Sequence, residues 1–85
     1  MDIEVLMPRL GEEMTEGTIV EWFKREGETV RKGEALFLVE TGKAAIEVEA
    51  EVTGTLKKIL VPEHSENIAI GEVIAIIATQ KGPRT

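Results

Sequence analysis

The chain has 85 residues, of which 16 are acidic and 10 are lysine or arginine, so its formal net charge is −6. This length predicts one small domain, and the lack of cysteine excludes disulfides and thiolate metal sites. The negative charge argues against nucleic-acid and anionic-membrane partners, and no apolar run approaches the ~20 residues of a membrane span. The acidic, alternating start Met1-Asp2-Ile3-Glu4 is unlike a signal or transit peptide and favours an intracellular protein.

Short segments with alternating apolar and polar side chains, or with clustered β-branched residues, follow one another between turns. Eight strands are predicted, over residues 3–7, 18–23, 29–30, 35–39, 45–50, 54–61, 67–70 and 73–78. No window of useful length has helical periodicity, so the predicted fold is all-β, with Trp22 and Phe23 in its core. Residues 1–79 form the predicted domain, and the polar residues 80–85 are predicted to begin a linker or a mobile tail.

An internal repeat divides the chain into two similar halves. Gly17-Thr18-Ile19 recurs as Gly54-Thr55-Leu56, and Gly33-Glu34-Ala35-Leu36 recurs as Gly71-Glu72-Val73-Ile74. Because half a domain of this size buries its apolar face only against its twin, the repeat predicts a flattened eight-stranded barrel-sandwich hybrid. Its two four-stranded sheets are related by pseudo-two-fold symmetry. The halves differ chiefly in a long surface loop at residues 8–16.

The two halves are joined by the turn Thr41-Gly42-Lys43-Ala44. A Gly-X pair between two strands favours a tight hairpin, because glycine accepts the positive φ that such turns need. Lys43 is then predicted at the outermost point of the loop. A lysine in this place is either a solvated turn residue or a site for covalent attachment of a group that the domain cannot make itself.

The residues of an independent enzyme or a phosphate site do not occur in suitable patterns. His64 is the only histidine, and its repeat mate is Gly27 in a charged turn, so we expect it on the surface. The segment ending in Thr41-Gly42-Lys43 lacks the glycine and the hydroxyl residue of a phosphate-binding loop, since Phe37 and Ala44 occupy those positions. The sequence therefore predicts a domain that is not catalytic on its own.

Five segments have a specific order and spacing. They are Met7-Pro8-Arg9-Leu10-Gly11, Met14-Thr15-Glu16-Gly17-Thr18-Ile19, Trp22, Glu26-Gly27-Glu28-Thr29-Val30 with Gly33, and Glu40-Thr41-Gly42-Lys43-Ala44. In these segments, over roughly residues 2–79, the chain resembles the lipoyl domain of 2-oxo acid dehydrogenase complexes, within the biotinyl/lipoyl attachment family. The last segment resembles the family's Glu-Thr-Asp-Lys-Ala, with Gly42 in place of the usual aspartate.

The resemblance implies that Lys43 takes lipoic acid in amide linkage and acts as the swinging arm of an acyl carrier, as part of a dihydrolipoamide acyltransferase. A lipoate ligase or a lipoyl/octanoyl transferase would modify the lysine. A thiamine-diphosphate decarboxylase, for pyruvate or acetoin rather than 2-oxoglutarate, would load the arm. An acyltransferase core would pass the acyl group to coenzyme A, and dihydrolipoamide dehydrogenase would reoxidise the arm.

The resemblance also implies a recognition face beside Lys43 and a cellular location. The face would combine the turn with the long loop, through Glu40, Thr41, Gly42, Ala44, Glu12, Glu13 and Met14. The location would be the cytoplasm, or the mitochondrial matrix if the chain is a processed eukaryotic fragment. Met1 looks like a natural start, and the chain is interpreted as the N-terminal domain of a longer acyltransferase.

Alternatives to the lipoyl carrier stay open at this point. A biotin carrier domain belongs to the same family, but it usually has methionine on both sides of the lysine, where this chain has Gly42 and Ala44. A glycine-cleavage carrier also has a lipoyl lysine, but it is longer and has added helices. An unmodified structural module would have the same strands and no cofactor.

Overall fold

The computed structural model describes residues 1–79, and the predicted linker or tail at residues 80–85 lies outside them. Within residues 1–79 no helix is long and apolar enough to cross a membrane. The elements are β1 (Asp2–Leu6), β2 (Glu16–Trp22), β3 (Thr29–Val30), β4 (Ala35–Glu40), β5 (Ala45–Glu49), β6 (Gly54–Ile59), β7 (Ser65–Ala69) and β8 (Val73–Ala78). All eight predicted strands are present, so the all-β prediction is confirmed.

Six strands have ends that differ from the prediction, three of them by two residues, because pairing with a distant strand decides where each one stops. β2 begins two residues early, at Glu16, which pairs with Ala69 of β7. β6 ends at Ile59, and the next two backbone N–H groups both donate to the carbonyl of Ile74. β7 covers residues 65–69 rather than 67–70, and it includes Asn67 with a left-handed φ of 58°.

The strands form two four-stranded antiparallel sheets, in the orders β1-β8-β6-β3 and β5-β4-β2-β7. Each sheet takes two strands from the first half of the chain and two from the second. Neither half therefore completes a sheet alone, as the repeat predicted. The predicted arrangement of two four-stranded sheets is confirmed.

The pseudo-two-fold symmetry extends to individual hydrogen bonds. The N–H of Met7 donates to the carbonyl of Glu72 at 2.9 Å, and the N–H of its mate Ala50 donates to the carbonyl of Glu34 at 2.8 Å. Backbone conformation repeats as well, since Gly33 and Gly71 have φ values of 93° and 91°. Gly27 (φ 94°) and its mate His64 (φ 68°) share the left-handed region, which is unusual for a residue with a side chain.

Two glutamates tie the halves together across the sandwich. A carboxylate oxygen of Glu63 accepts the N–H of Trp22 at 3.0 Å, and one of Glu26 accepts the N–H of Ile59 at 2.8 Å. These two bonds are symmetry mates, and each joins a turn of one half to a strand of the other. They satisfy backbone donors where the strands diverge.

The core lies between the two sheets and is apolar throughout. Its largest fully buried side chains are Phe37, Met7, Ile19, Leu36, Leu56, Ile74, Ile77, Val30 and Val39. Trp22 is also buried, with its indole N–H donating to the carbonyl of Val61 at 2.9 Å and its ring 4.9 Å from that of Phe37. The prediction for Phe23 was wrong, because it follows the end of β2, faces the other way and is 37% exposed.

Candidate functional site

The turn between β4 and β5 has four residues, of which only two lie beyond its closing hydrogen bond. Glu40 pairs with Ala45 at the end of the sheet, and the N–H of Thr41 then donates to the carbonyl of Ala44 at 2.8 Å. Gly42 and Lys43 form the tip. The inner side chains of β4 are buried, so the hairpin stands on a rigid base.

Gly42 does not have the left-handed conformation that the sequence predicted. The described glycines with positive φ are Gly27, Gly33 and Gly71, and Gly42 is not among them. Its position is open, since an added Cβ would meet nothing within 4 Å. The turn therefore closes without any conformation that only glycine adopts, and a residue with a side chain fits at position 42.

The side chain of Thr41 is hydrogen-bonded to the backbone of the turn. Its Oγ1 lies 3.3 Å from the amide nitrogen of Lys43 and 3.3 Å from that of Ala44, and it accepts both N–H groups. It also lies 3.3 Å from the carbonyl oxygen of Ala44, to which it donates. Thr41 thus links the base of the turn to its tip.

The lysine at the tip is exposed, as predicted, and so are Gly42, Ala44 and Ala45 around it. The ion pairs of residues 1–79 are Lys24–Glu34 and Lys57–Asp2, neither of which involves Lys43. Glu40, the last residue of β4, is exposed as well. The amine of Lys43 is therefore accessible from solution and has room around it for an attached group.

The long loop between β1 and β2 is ordered by two methionines. Met7 is 1% exposed and Met14 is 9% exposed, so both ends of the loop are anchored in the core. The Met14 sulfur accepts the N–H of Leu10 at 3.2 Å, and the Met14 N–H donates to the carbonyl of Gly11 at 3.2 Å. Gly17 makes room for this anchor, since a Cβ there would lie 3.0 Å from the Met14 methyl carbon.

A groove separates the long loop from the turn. Its lining residues are Leu10, Gly11, Glu12, Glu13, Met14, Thr41, Gly42, Lys43 and Ile46. The structure therefore brings the loop residues Glu12 and Glu13 beside Lys43, while Met14 is buried at the groove rather than displayed on its surface. Leu10 and Ile46 were not singled out from the sequence, although the alternation of β5 could have indicated Ile46.

The carboxyl groups with perturbed titration lie away from this turn and groove. A hydrogen bond from Lys57 lowers the pKa of Asp2, and the N–H of Arg31 lowers the pKa of Glu34. Within residues 1–79 no group of three or more acidic or histidine side chains is placed to hold a metal ion. What the candidate site offers is an accessible amine on an ordered tip beside an acidic loop.

Comparison with known proteins finds one matching family, described as "Biotin-requiring enzyme", over residues 3–77. Over 78 residues the chain is 53% identical to the dihydrolipoyllysine-residue acetyltransferase component of the pyruvate dehydrogenase complex of Zymomonas mobilis, covering 92% of this chain and 18% of that protein. Over 73 residues it is 51% identical to dihydrolipoyllysine-residue acetyltransferase component 3 of the mitochondrial pyruvate dehydrogenase complex of Arabidopsis thaliana, covering 86% of this chain and 14% of that protein. The chain thus spans less than a fifth of these relatives.

A solved structure is similar over nearly its whole length. It is the lipoyl domain of the 2-oxoglutarate dehydrogenase complex from Azotobacter vinelandii, with a TM-score of 0.68 and 31% sequence identity. The match covers 92% of this chain and 95% of that domain. The similarity therefore extends over both sheets.

Proposed function

Since this chain belongs to the biotin/lipoyl attachment family, we propose that it is a lipoyl carrier domain and that Lys43 carries lipoic acid in amide linkage. The observation that carries the proposal is the place of Lys43, exposed at the tip of the four-residue turn between the halves. A modifying enzyme needs an amine that it reaches without unfolding the domain. The residues around the tip are exposed as well, so the amine is open to solvent.

The domain's own residues act by positioning rather than by catalysis. A lipoyl group held by Lys43 would supply a dithiolane, the part of the cofactor that undergoes the redox and acyl-transfer chemistry. The two sheets give this arm a rigid base, and the side chain of Lys43 adds reach. Tethering the arm to a larger assembly raises its effective concentration at each active site within reach.

The proposed partners are the enzymes that modify, load, unload and reoxidise the arm. They are a lipoate ligase or lipoyl/octanoyl transferase, a thiamine-diphosphate decarboxylase, an acyltransferase core and dihydrolipoamide dehydrogenase. Pyruvate is the proposed oxo acid, because the relatives with 53% and 51% identity are named as pyruvate dehydrogenase components. One of these relatives is bacterial and one is mitochondrial, and the proposed location is the bacterial cytoplasm or the mitochondrial matrix.

A biotin carrier is the second candidate, because the family includes biotin-requiring enzymes. Two observations favour lipoate. Both reported relatives are named as dihydrolipoyllysine-residue acetyltransferases. In addition, Lys43 lies between Gly42 and Ala44 rather than between two methionines.

The groove beside Lys43 supports a recognition face made of the turn and the long loop. Glu12 and Glu13 give this face negative charge, and the buried side chain of Met14 anchors the loop in the core. We propose that the decarboxylase contacts this face, with a basic surface opposite the two glutamates. The modifying ligase, in contrast, recognises mainly the position of the lysine on the hairpin.

The test is to incubate the unmodified domain with lipoate ligase, ATP and lipoate, and to measure its intact mass and peptide map. We expect one lipoyl group, on Lys43, and no modification of Lys43→Arg. Lys32→Arg is the matched control, since Lys32 is also exposed and lies in another turn. Modification of Lys43→Arg, or a group mapped to another lysine, would contradict the proposal.

A parallel incubation with biotin ligase and biotin separates the second candidate. We expect the domain to stay largely unmodified. The lipoylated domain should then be acylated faster by a pyruvate decarboxylase component than by a 2-oxoglutarate component. The reverse preference would contradict the proposed oxo acid without affecting the attachment site.

A further inference from the structure

We propose that Thr41 is a positioning residue for the modification of Lys43, because its hydroxyl orders the backbone of the turn that the modifying enzyme binds. The inference rests on the proposed function, since it concerns the enzyme that acts on Lys43. The proposed function needs only an exposed Lys43, and this inference adds a separate role for the side chain of Thr41.

The three contacts of the Thr41 hydroxyl are mutually compatible. A hydroxyl has one proton to donate and two lone pairs with which to accept. Here the proton is directed to the Ala44 carbonyl, and the two lone pairs receive the N–H groups of Lys43 and Ala44. One side chain thus restrains both peptide units that flank the Cα of Lys43.

No other side chain of residues 1–79 makes a hydrogen bond to the backbone of this tip. Gly42 has no side chain, and glycine has more backbone freedom than any other residue. The tip is therefore the most flexible link in the hairpin by composition, and the Thr41 hydroxyl is what opposes that flexibility.

The pseudo-two-fold symmetry provides an internal comparison at Thr79, the mate of Thr41. The N–H and Oγ1 of Thr79 both donate to the carbonyl of Met1, at 2.7 and 3.2 Å. Thr41 makes the same two bonds to Ala44, the mate of Met1. The amino group of Met1 donates to the carbonyl of Thr79 at 3.1 Å, whereas the N–H of Ala44 donates to the Thr41 hydroxyl, so acceptance by the hydroxyl distinguishes the turn from its symmetry mate.

A disordered turn would have to be ordered each time the modifying enzyme binds it, which weakens binding. The reacting amine of Lys43 is the same in either case. Loss of the hydroxyl should therefore raise the KM for the protein substrate and leave kcat nearly unchanged.

Three variants of the unmodified domain test this inference. Thr41→Val removes the hydroxyl and keeps the shape, Thr41→Ser restores the hydroxyl, and Thr79→Val removes the symmetry-related hydroxyl. The readouts are backbone NMR order parameters at positions 42 and 43, and the kinetics of lipoate ligase with each protein as substrate.

For Thr41→Val we expect the order parameter of Lys43 to fall below about 0.6. We expect its KM to rise about tenfold with kcat within twofold of the wild type, which is ~1.4 kcal/mol of binding. Thr41→Ser and Thr79→Val should match the wild type in both readouts.

A wild-type KM for Thr41→Val, no recovery in Thr41→Ser, or an equal loss in Thr79→Val would each overturn the inference. If the wild-type domain took no lipoyl group, the proposed function would fail instead. The order parameters would still decide the role of Thr41 in that case, because a Thr41→Val turn as ordered as the wild type would overturn it.

Discussion

In each half of this domain a loop connects the first strand to the second, and the two loops differ in length. In the second half β5 ends at Glu49 and β6 begins at Gly54, whereas in the first half β1 ends at Leu6 and β2 begins at Glu16. The hydrogen bonds of Met7 and Ala50 at the start of both connections are symmetry mates. The fold therefore needs only the short connection, and the additional residues of the long one build the groove beside Lys43.

The long loop also differs in how it is held. Met14 is buried, and the nearby Gly17 leaves space for it. At the mate of Gly17, Gly54, an added Cβ would instead collide with the backbone carbonyl of Ala78. The lack of a side chain at Gly17 thus leaves room for Met14 of the long loop. At its mate Gly54 it leaves room for the backbone of the neighbouring strand β8.

The largest effect is expected from removing the anchor that only the long loop has. Met14→Ala should destabilise the domain by about 3 kcal/mol, since it leaves a cavity at a buried site. Val52→Ala, in the short connection, should cost ~1 kcal/mol, because Val52 is only half-buried. Urea denaturation measures both, with Met14→Leu as the control that keeps the volume. Equal costs for the two alanine variants would show that the loop is not anchored differently.

The paired glycines should respond unequally to alanine. Gly54→Ala should cost about 2 kcal/mol, because the new methyl meets the backbone of β8, which cannot move without breaking sheet pairing. Gly17→Ala should cost ~1 kcal/mol, since its methyl meets side-chain atoms of Val39 and Met14 rather than backbone, and the Met14 side chain is flexible. Thermal unfolding of both variants measures the difference, and a larger loss for Gly17→Ala would contradict it.

Replacing residues 8–15 with the short connection of the second half tests the recognition face directly. Reductive acylation of the lipoylated domain should fall more than tenfold, which is a loss of more than about 1.4 kcal/mol of transition-state stabilisation. Lipoylation of Lys43 should stay within twofold, because the hairpin is unchanged. Both proteins are compared fully lipoylated and below their melting temperatures. Equal acylation rates would show that the loop takes no part in recognition.

The smallest effect concerns acid sensitivity at Glu34, whose symmetry mate is Glu72. The N–H of Arg31 lowers the pKa of Glu34, so the folded state favours the ionised form. This stabilisation is present above the pKa of the unfolded chain and is lost as the pH falls through the lower pKa of the folded state. The melting temperature of the wild type should therefore drop more steeply than that of Glu34→Gln as the pH falls. Glu72→Gln is the control, and equal slopes for the wild type and Glu34→Gln would refute the effect.

Much of this architecture depends on residues that are close in the chain, and it can therefore be predicted from the sequence. Alternating apolar residues and clustered β-branched residues predict all eight strands, and the repeated glycines Gly33 and Gly71 have the same left-handed φ. Lys43 at the tip follows from its place between two strands. These features depend on neighbours in the chain, whose effects a sequence pattern records.

Other features depend on residues distant in the chain, and only the tertiary structure decides them. Phe23 is exposed because β2 stops one residue earlier, and Met14 is buried because Gly17 leaves it room against Val39. Gly42 lies outside the left-handed region in a turn that closes through the hydrogen bond from Thr41 to Ala44, with the Thr41 hydroxyl bonded to the tip. Burial and register are properties of the paired sheets, so no single segment of the sequence contains them.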